Sequence, residues 1–185
     1  MKRLIKWVFL ILLILFFSHS CVYHYITHMN DEELAWVTNR HEDEIFYFKS
    51  QTGILDTVTI KEITIHNSLN PFNWGYFNTS NKDYIATANV RYFLNSDAGG
   101  ILHIEKRSKD RPISFSSSLI EGWIYDIPLN VTSSVIDGIT INDIMIFENE
   151  KSDSNMIKSY SWSKKYGLVQ YTFQDGTLFS RIVEE

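Results

Sequence analysis

The sequence predicts an all-β fold: mainly an antiparallel meander that curls into a barrel, half-barrel or sandwich, with one short helix near the N-terminus. Three observations carry this prediction. From Glu44 onward, apolar residues alternate with polar ones in run after run, which is the period of a half-buried strand. Clusters of Gly, Asn, Asp and Ser separate the runs, and two of them are Asp-Gly pairs flanked by apolar stretches, a hairpin signal. No helical pattern lies between the runs, so the crossovers that a parallel sheet needs are not written into the chain.

The helix is predicted over 30–37. Asn30 can cap it, and Glu33 holds the capping-box position ahead of Leu34, Trp36 and Val37. So short a helix must lean on a core to persist. A strand over 45–49 and a turn at Ser50-Gln51-Thr52-Gly53 follow. The strand over 57–66 changes phase, with Val58 and Ile60 on one face and Ile63 and Ile65 on the other. A bulge near Lys61-Glu62 reconciles the two halves.

The clearest strand runs over 83–95. Tyr84, Ala86, Ala88, Val90, Tyr92 and Leu94 share its apolar face, while Asn89 and Arg91 lie on the mixed one. Strands over 101–106, 113–119 and 122–127 come next, and Pro128 limits the last. Asp137-Gly138 sets a hairpin ahead of a strand over 139–147. Asp175-Gly176 sets another between 169–173 and 178–183. Both pairs are read as two-residue turns, whose positions need positive φ. A strand over 157–163 completes a set of about nine or ten.

The N-terminus carries a different signal. Lys2, Arg3 and Lys6 precede an unbroken apolar run over 7–17, followed by Ser18-His19-Ser20-Cys21. A bilayer-spanning helix needs roughly 20 apolar residues. This shorter run behind three cations has the form of an export signal, with its start on the cytoplasmic side. Cys21 is the only cysteine. Its position resembles that of the lipidated cysteine of bacterial lipoproteins, although Ser18 stands where Leu is usual. The resemblance implies a signal peptide over 1–20, a lipid-anchor tether over 21–30 and a single β-rich domain over 31–185. It places the protein in the cell envelope, on the outer membrane. Ordinary cleavage near Ser20 and an uncleaved inner-membrane signal anchor are the competing readings.

Without Lys2, Arg3 and Lys6, 14 basic residues face 22 acidic ones, a net charge of −8. That balance excludes nucleic acid as a partner and electrostatic docking on anionic lipid. With no second cysteine, the fold has no internal disulfide and relies on a packed core. Aromatic residues make up 15% of the chain, which suits pleated sheet faces.

The C-terminal third reads Val135-Ile136-Asp137-Gly138-Ile139-Thr140, then Tyr160-Ser161-Trp162-Ser163, then Tyr166-Gly167-Leu168-Val169 and a final Asp175-Gly176. This pattern resembles the ending of small uncharacterised exported lipoproteins of the Bacteroidetes. The resemblance implies location and fold class and transfers no active site. Asp56-Thr57-Val58 resembles the O-glycosylation motif of exported proteins from the same group, which makes Thr57 a candidate acceptor. A threonine in a strand is equally at home without a glycan.

No Gly-x-Ser-x-Gly elbow and no phosphate-binding Gly-rich loop occurs. The function expected is a binding or assembly module without catalysis, not an enzyme, needing no cofactor and holding no metal. Its expected partner is the membrane, reached through the N-terminal lipid. One alternative is a carrier of an apolar ligand in a curved sheet. Phe72, Trp74, Tyr76 and Phe77, in a long loop over 67–81, would be its lid; the plainer reading packs those rings on the core. A second alternative is a hydrolase using His103 and Glu105, which share a strand face, or His41-Glu42-Asp43-Glu44. Such polar pairs and runs are ordinarily solvated surface.

Overall fold

The computed structural model describes residues 2–20, 25–69, 83–95, 99–119, 123–149 and 157–183. Two helices, α1 (Lys2–Ser20) and α2 (Asp31–Thr38), precede eleven strands. The first half of the sheet holds β1 (Ile45–Ser50), β2 (Leu55–His66), β3 (Ala86–Leu94), β4 (Gly99–Lys106), β5 (Ser114–Leu119) and β6 (Trp123–Pro128). The second holds β7 (Thr132–Ile136), β8 (Ile139–Glu148), β9 (Ile157–Ser163), β10 (Gly167–Phe173) and β11 (Leu178–Arg181). The sequence-based count of nine or ten fell short of this.

All eleven strands form one sheet in the order β6-β5-β4-β3-β2-β1-β11-β10-β9-β8-β7. Every pairing between them is antiparallel. Two meanders are therefore joined where β1 meets β11. The sheet curls into a half-barrel, and its two halves face each other across one core. Phe115 of β5 meets Phe147 of β8 with ring centroids 6.4 Å apart. Tyr92 of β3 meets Trp162 of β9 at 5.6 Å. The core also holds Phe46, Phe48, Val58, Ile60, Val90 and Leu102, the inward phase of their strands.

The α2 helix begins as its sequence dictates. The Asn30 side chain accepts from the Glu33 amide, and the Glu33 carboxylate accepts from the Asn30 amide. The helix presents Trp36 and Val37 to the core. Trp36 packs edge-on against Phe115 at 5.2 Å, and its carbonyl accepts from Trp162 Nε1. Two turns of helix persist because this contact holds them. The segment before α2 is pinned as well. Thr27 and Tyr25 bond Tyr84 through the backbone, and Asn67 closes a two-way hydrogen bond with Met29.

A second, smaller core joins Ile136, Ile141, Ile144 and Val169. It exists because β8 serves both faces. Ile141 and Ile144 turn to this cluster, whereas Met145 and Phe147 belong to the main core.

The two Asp-Gly pairs make different turns. Asp137 and Gly138 have φ of 52° and 81° and join Ile136 directly to Ile139, the expected two-residue hairpin. At Asp175-Gly176 only Gly176 is left-handed, with φ of 87°. Phe173 bonds Gly176 on one side and Thr177 on the other, so the loop has three residues and a glycine bulge. Gln174 supplies the extra residue. The Asp175 carboxylate accepts from the Thr177 amide at 2.7 Å, which organises a local turn of its own.

Candidate functional site

Sheet register assembles a groove on the outer face. The bulge at Lys61 shifts β2 between Ile60 and Glu62, so Glu62 and Thr64 point outward. Glu62 then stands beside Arg91, Arg91 beside Ile101, Ile101 beside Ser118, and Ser118 beside Trp123. One rung below, Thr64, Asn89, His103 and Ser116 follow across the same strands. Trp123 reaches over the short Ser118 side chain to line the groove, whose volume is about 250 Å³.

Its polar groups are oriented. Arg91 Nη1 lies 3.4 Å from Glu62 Oε2, with both side chains about half exposed; such a pair adds less than about 1 kcal/mol. His103 Nδ1 and Asn89 Oδ1 are 2.6 Å apart. The amide oxygen can only accept, so Nδ1 carries the proton. His103 Nε2 lies 3.8 Å from Glu105 Oε2. The other Glu105 oxygen is held by Arg107 at 2.6 Å, and that hydrogen bond and charge raise the Arg107 pKa.

Trp123 is the aromatic wall of the groove, and Tyr125 backs it. Their rings stack 5.7 Å apart at 17° and remain 47% and 69% exposed. They lie on β6, an edge strand. A second bulge, where Tyr125 and Asp126 oppose Ser116, gives Asp126 a φ of 53°.

The arrangement gathers hydrogen-bonding groups and an exposed ring, and no activated nucleophile lies among the described residues. Ser116 is His103's cross-strand neighbour, yet its hydroxyl accepts from the Asp126 amide at 3.2 Å and the residue is buried. His41 is exposed, and its Nδ1 lies 3.7 Å from Glu44 Oε2. Glu44 is turned to Arg40 at 2.7 Å. His103 lines the groove, and none of residues 41–44 does. No group of three His, Cys, Asp or Glu that could hold a metal occurs among the described residues.

Thr57 lies on the outer face opposite Tyr47 and is half-buried. Its neighbour Asp56 is structurally engaged, accepting from Tyr171 Oη at 2.6 Å and from the Thr57 amide at 2.7 Å. Cys21, Phe72, Trp74, Tyr76 and Phe77 lie outside the described residues. No helix among the described residues is long and apolar enough to cross a membrane.

A cavity of about 10 Å³ is lined by Ser117, Phe147 and Tyr160 among others; that is about enough for one water. Among the described residues the buried hydroxyls of Tyr92 and Tyr160 meet no partner at full hydrogen-bond geometry. Burial raises the pKa of both, and the Ser117 hydroxyl nearby lowers them by less.

Sequence reasoning singled out His103 and missed Trp123, Tyr125, Asn89, Arg91 and Glu62 as a set. The available signal was phase: Asn89 and Arg91 fall on the polar face of β3. Trp123 and Tyr125 are large rings out of step with the half-buried Ile124. No protein-family model matches the chain, no curated protein is similar to it, and no solved structure matches it.

Proposed function

We propose that the chain is a noncatalytic binding module of a bacterial envelope, anchored to the outer membrane through lipid on Cys21. On this reading it is a small exported lipoprotein of the Bacteroidetes kind, and its β-sheet domain lies in water. The anchor rests on the cationic start, the short apolar run and the placement of the single cysteine. The binding role rests on the outer-face groove, where Arg91, Glu62, Asn89 and His103 are held beside two exposed rings.

The anchor is tested by metabolic labelling of the full chain with an alkyne fatty acid. Label is expected on the native chain and lost in Cys21→Ala; label retained by that variant would sink the anchor. The noncatalytic role is tested on a panel of ester, phosphoester and glycoside substrates. No turnover is expected, and turnover abolished by His103→Ala would overturn this part of the proposal.

A further inference from the structure

We infer that the outer-face groove takes a neutral, hydroxyl-rich ligand, a saccharide, laid against the Trp123–Tyr125 rings. The inference rests on the binding-module reading and adds the chemistry of the ligand.

The rings are the first support. A sheet normally turns its large aromatics inward, and Tyr92, Phe115, Phe147 and Trp162 obey. Trp123 and Tyr125 instead stack on each other and stay 47% and 69% exposed, with the Trp123 ring at the side of a polar groove. One face of a pyranose is a patch of C–H bonds, apolar and slightly positive. It suits the negative face of an aromatic ring.

The polar side of the groove fits the rest of such a ligand. A sugar hydroxyl both donates and accepts. Arg91 only donates, Glu62 only accepts, and Asn89 and Thr64 do both. Among the described residues, the one arginine and one carboxylate lining the groove lie 3.4 Å apart, so their charges largely cancel. A phosphate or carboxylate ligand would face Glu62 as closely as Arg91, with no net attraction to hold it.

Size and edge chemistry narrow the class. About 250 Å³ lies just under the roughly 300–1,000 Å³ of drug-sized ligand pockets, which suits a single sugar ring with the rest of an oligosaccharide outside. An extended peptide would have to add along β6, the last strand of the sheet among the described residues. That strand is interrupted by the bulge at Tyr125-Asp126 and by Pro128, which has no amide hydrogen to offer.

The test uses the full chain in a zwitterionic detergent, because sugar-headed detergents would compete. The protein carries 5-fluorotryptophan, and loss of one fluorine resonance in Trp123→Phe assigns that ring. Neutral oligosaccharides of glucose, mannose, galactose, xylose and N-acetylglucosamine are titrated in turn. Inorganic phosphate and an oligouronate are titrated separately. At least one neutral oligosaccharide is expected to shift the Trp123 resonance. Isothermal titration calorimetry with that oligosaccharide, which needs no ring at position 123, compares the variants: Trp123→Ala and Asn89→Ala should each weaken the binding by about tenfold or more at unchanged melting temperature.

No shift with any neutral oligosaccharide up to about 10 mM, or undiminished binding in Trp123→Ala, overturns the inference. If phosphate or the oligouronate alone shifts Trp123, the inference of a neutral saccharide falls while the binding-module reading stands. If nothing shifts Trp123 and His103-dependent turnover appears on the substrate panel, both fall.

Discussion

Gly100 is where a single methyl group should be felt most. It sits on β4 directly opposite Tyr92 of β3. A β-carbon there would lie 2.4 Å from Tyr92 Cε2, 2.5 Å from Cζ and 2.8 Å from the hydroxyl. The ring cannot swing clear, because it is fully buried and packed on Trp162. Overpacking a core costs about 1–3 kcal/mol, and a contact this short belongs in the upper half of that range. Alanine also restricts the unfolded chain, offsetting roughly 0.5–1 kcal/mol. Gly100→Ala should therefore lose about 2 kcal/mol. With a urea m-value of about 2 kcal/mol/M, the unfolding midpoint falls by about 1 M. Gly99→Ala is the control: its β-carbon comes no closer than 3.2 Å to the half-buried Phe93 ring, and its effect should stay within about 0.5 kcal/mol. Tryptophan fluorescence follows unfolding in both variants. In a Tyr92→Leu background the Gly100→Ala penalty should vanish, giving a coupling of about 2 kcal/mol. Equal midpoints for the two alanine variants, or an additive cycle, would refute the steric argument.

Two further predictions concern charge. Arg40 and Arg181 both lie over the Phe46 ring, both donate to the Tyr166 carbonyl, and both feel Glu44. Burial, then the Arg40 charge, pulls the Arg181 pKa down to about 10. Glu44→Ala leaves two cations facing each other and should cost about 3–5 kcal/mol, whereas Arg40→Ala should cost about 2 kcal/mol because Arg181 still answers the carboxylate. Equal urea midpoints for the two variants would contradict the shared-carboxylate picture. In alkali, the buried Tyr92 and Tyr160 hydroxyls keep their protons in the fold, while the unfolded chain begins to lose them near pH 10. Their contribution is complete below about pH 10 and falls by about 1.4 kcal/mol per pH unit for each tyrosine above it. Tyr171, whose pKa burial also raises, adds a third such group, while Arg40 and Arg181, both lowered by burial, act in the opposite direction as two groups against three. Urea midpoints at about pH 9 and about pH 10.8 should show a net decline, and a flat profile would remove the argument.

Local features were legible in the sequence because their causes are local. The α2 capping box joins residues three apart, and both of its hydrogen bonds form. The phase change in β2 announced the bulge found at Lys61. The inward face of β3 followed from alternation alone, and Ala86, Ala88, Val90 and Tyr92 are all buried. The pairing of β1 with β11, which joins the two meanders, brings together Phe48 and Arg181. No short-range pattern connects residues so far apart. Even a strong turn signal proved incomplete: Asp-Gly specified a two-residue hairpin at Asp137 but a three-residue loop at Asp175. The dipeptide permits left-handed backbone, while the flanking registers decide how many residues must fit.

The groove illustrates the deeper reason a site on a sheet resists reading from sequence. Without the Lys61 bulge, Glu62 and Thr64 would enter the core, and Ile63 would face water. The bulge keeps Ile63 packed on the core and brings Glu62 beside Arg91. At the other side, two residues oppose Ser116, so Ile124 and Ile127 both pack inward. The outward positions are left to Trp123, Tyr125 and Asp126. Each bulge answers a demand of the core, that apolar side chains stay inside while the chain passes through. The outer face inherits the consequence, with a carboxylate, a guanidinium and an aromatic wall brought within one small groove. A single bulge lost from either strand would exchange the faces beyond it. The groove is thus as strongly determined as the core, although none of its residues adjoins a partner from another strand in the sequence.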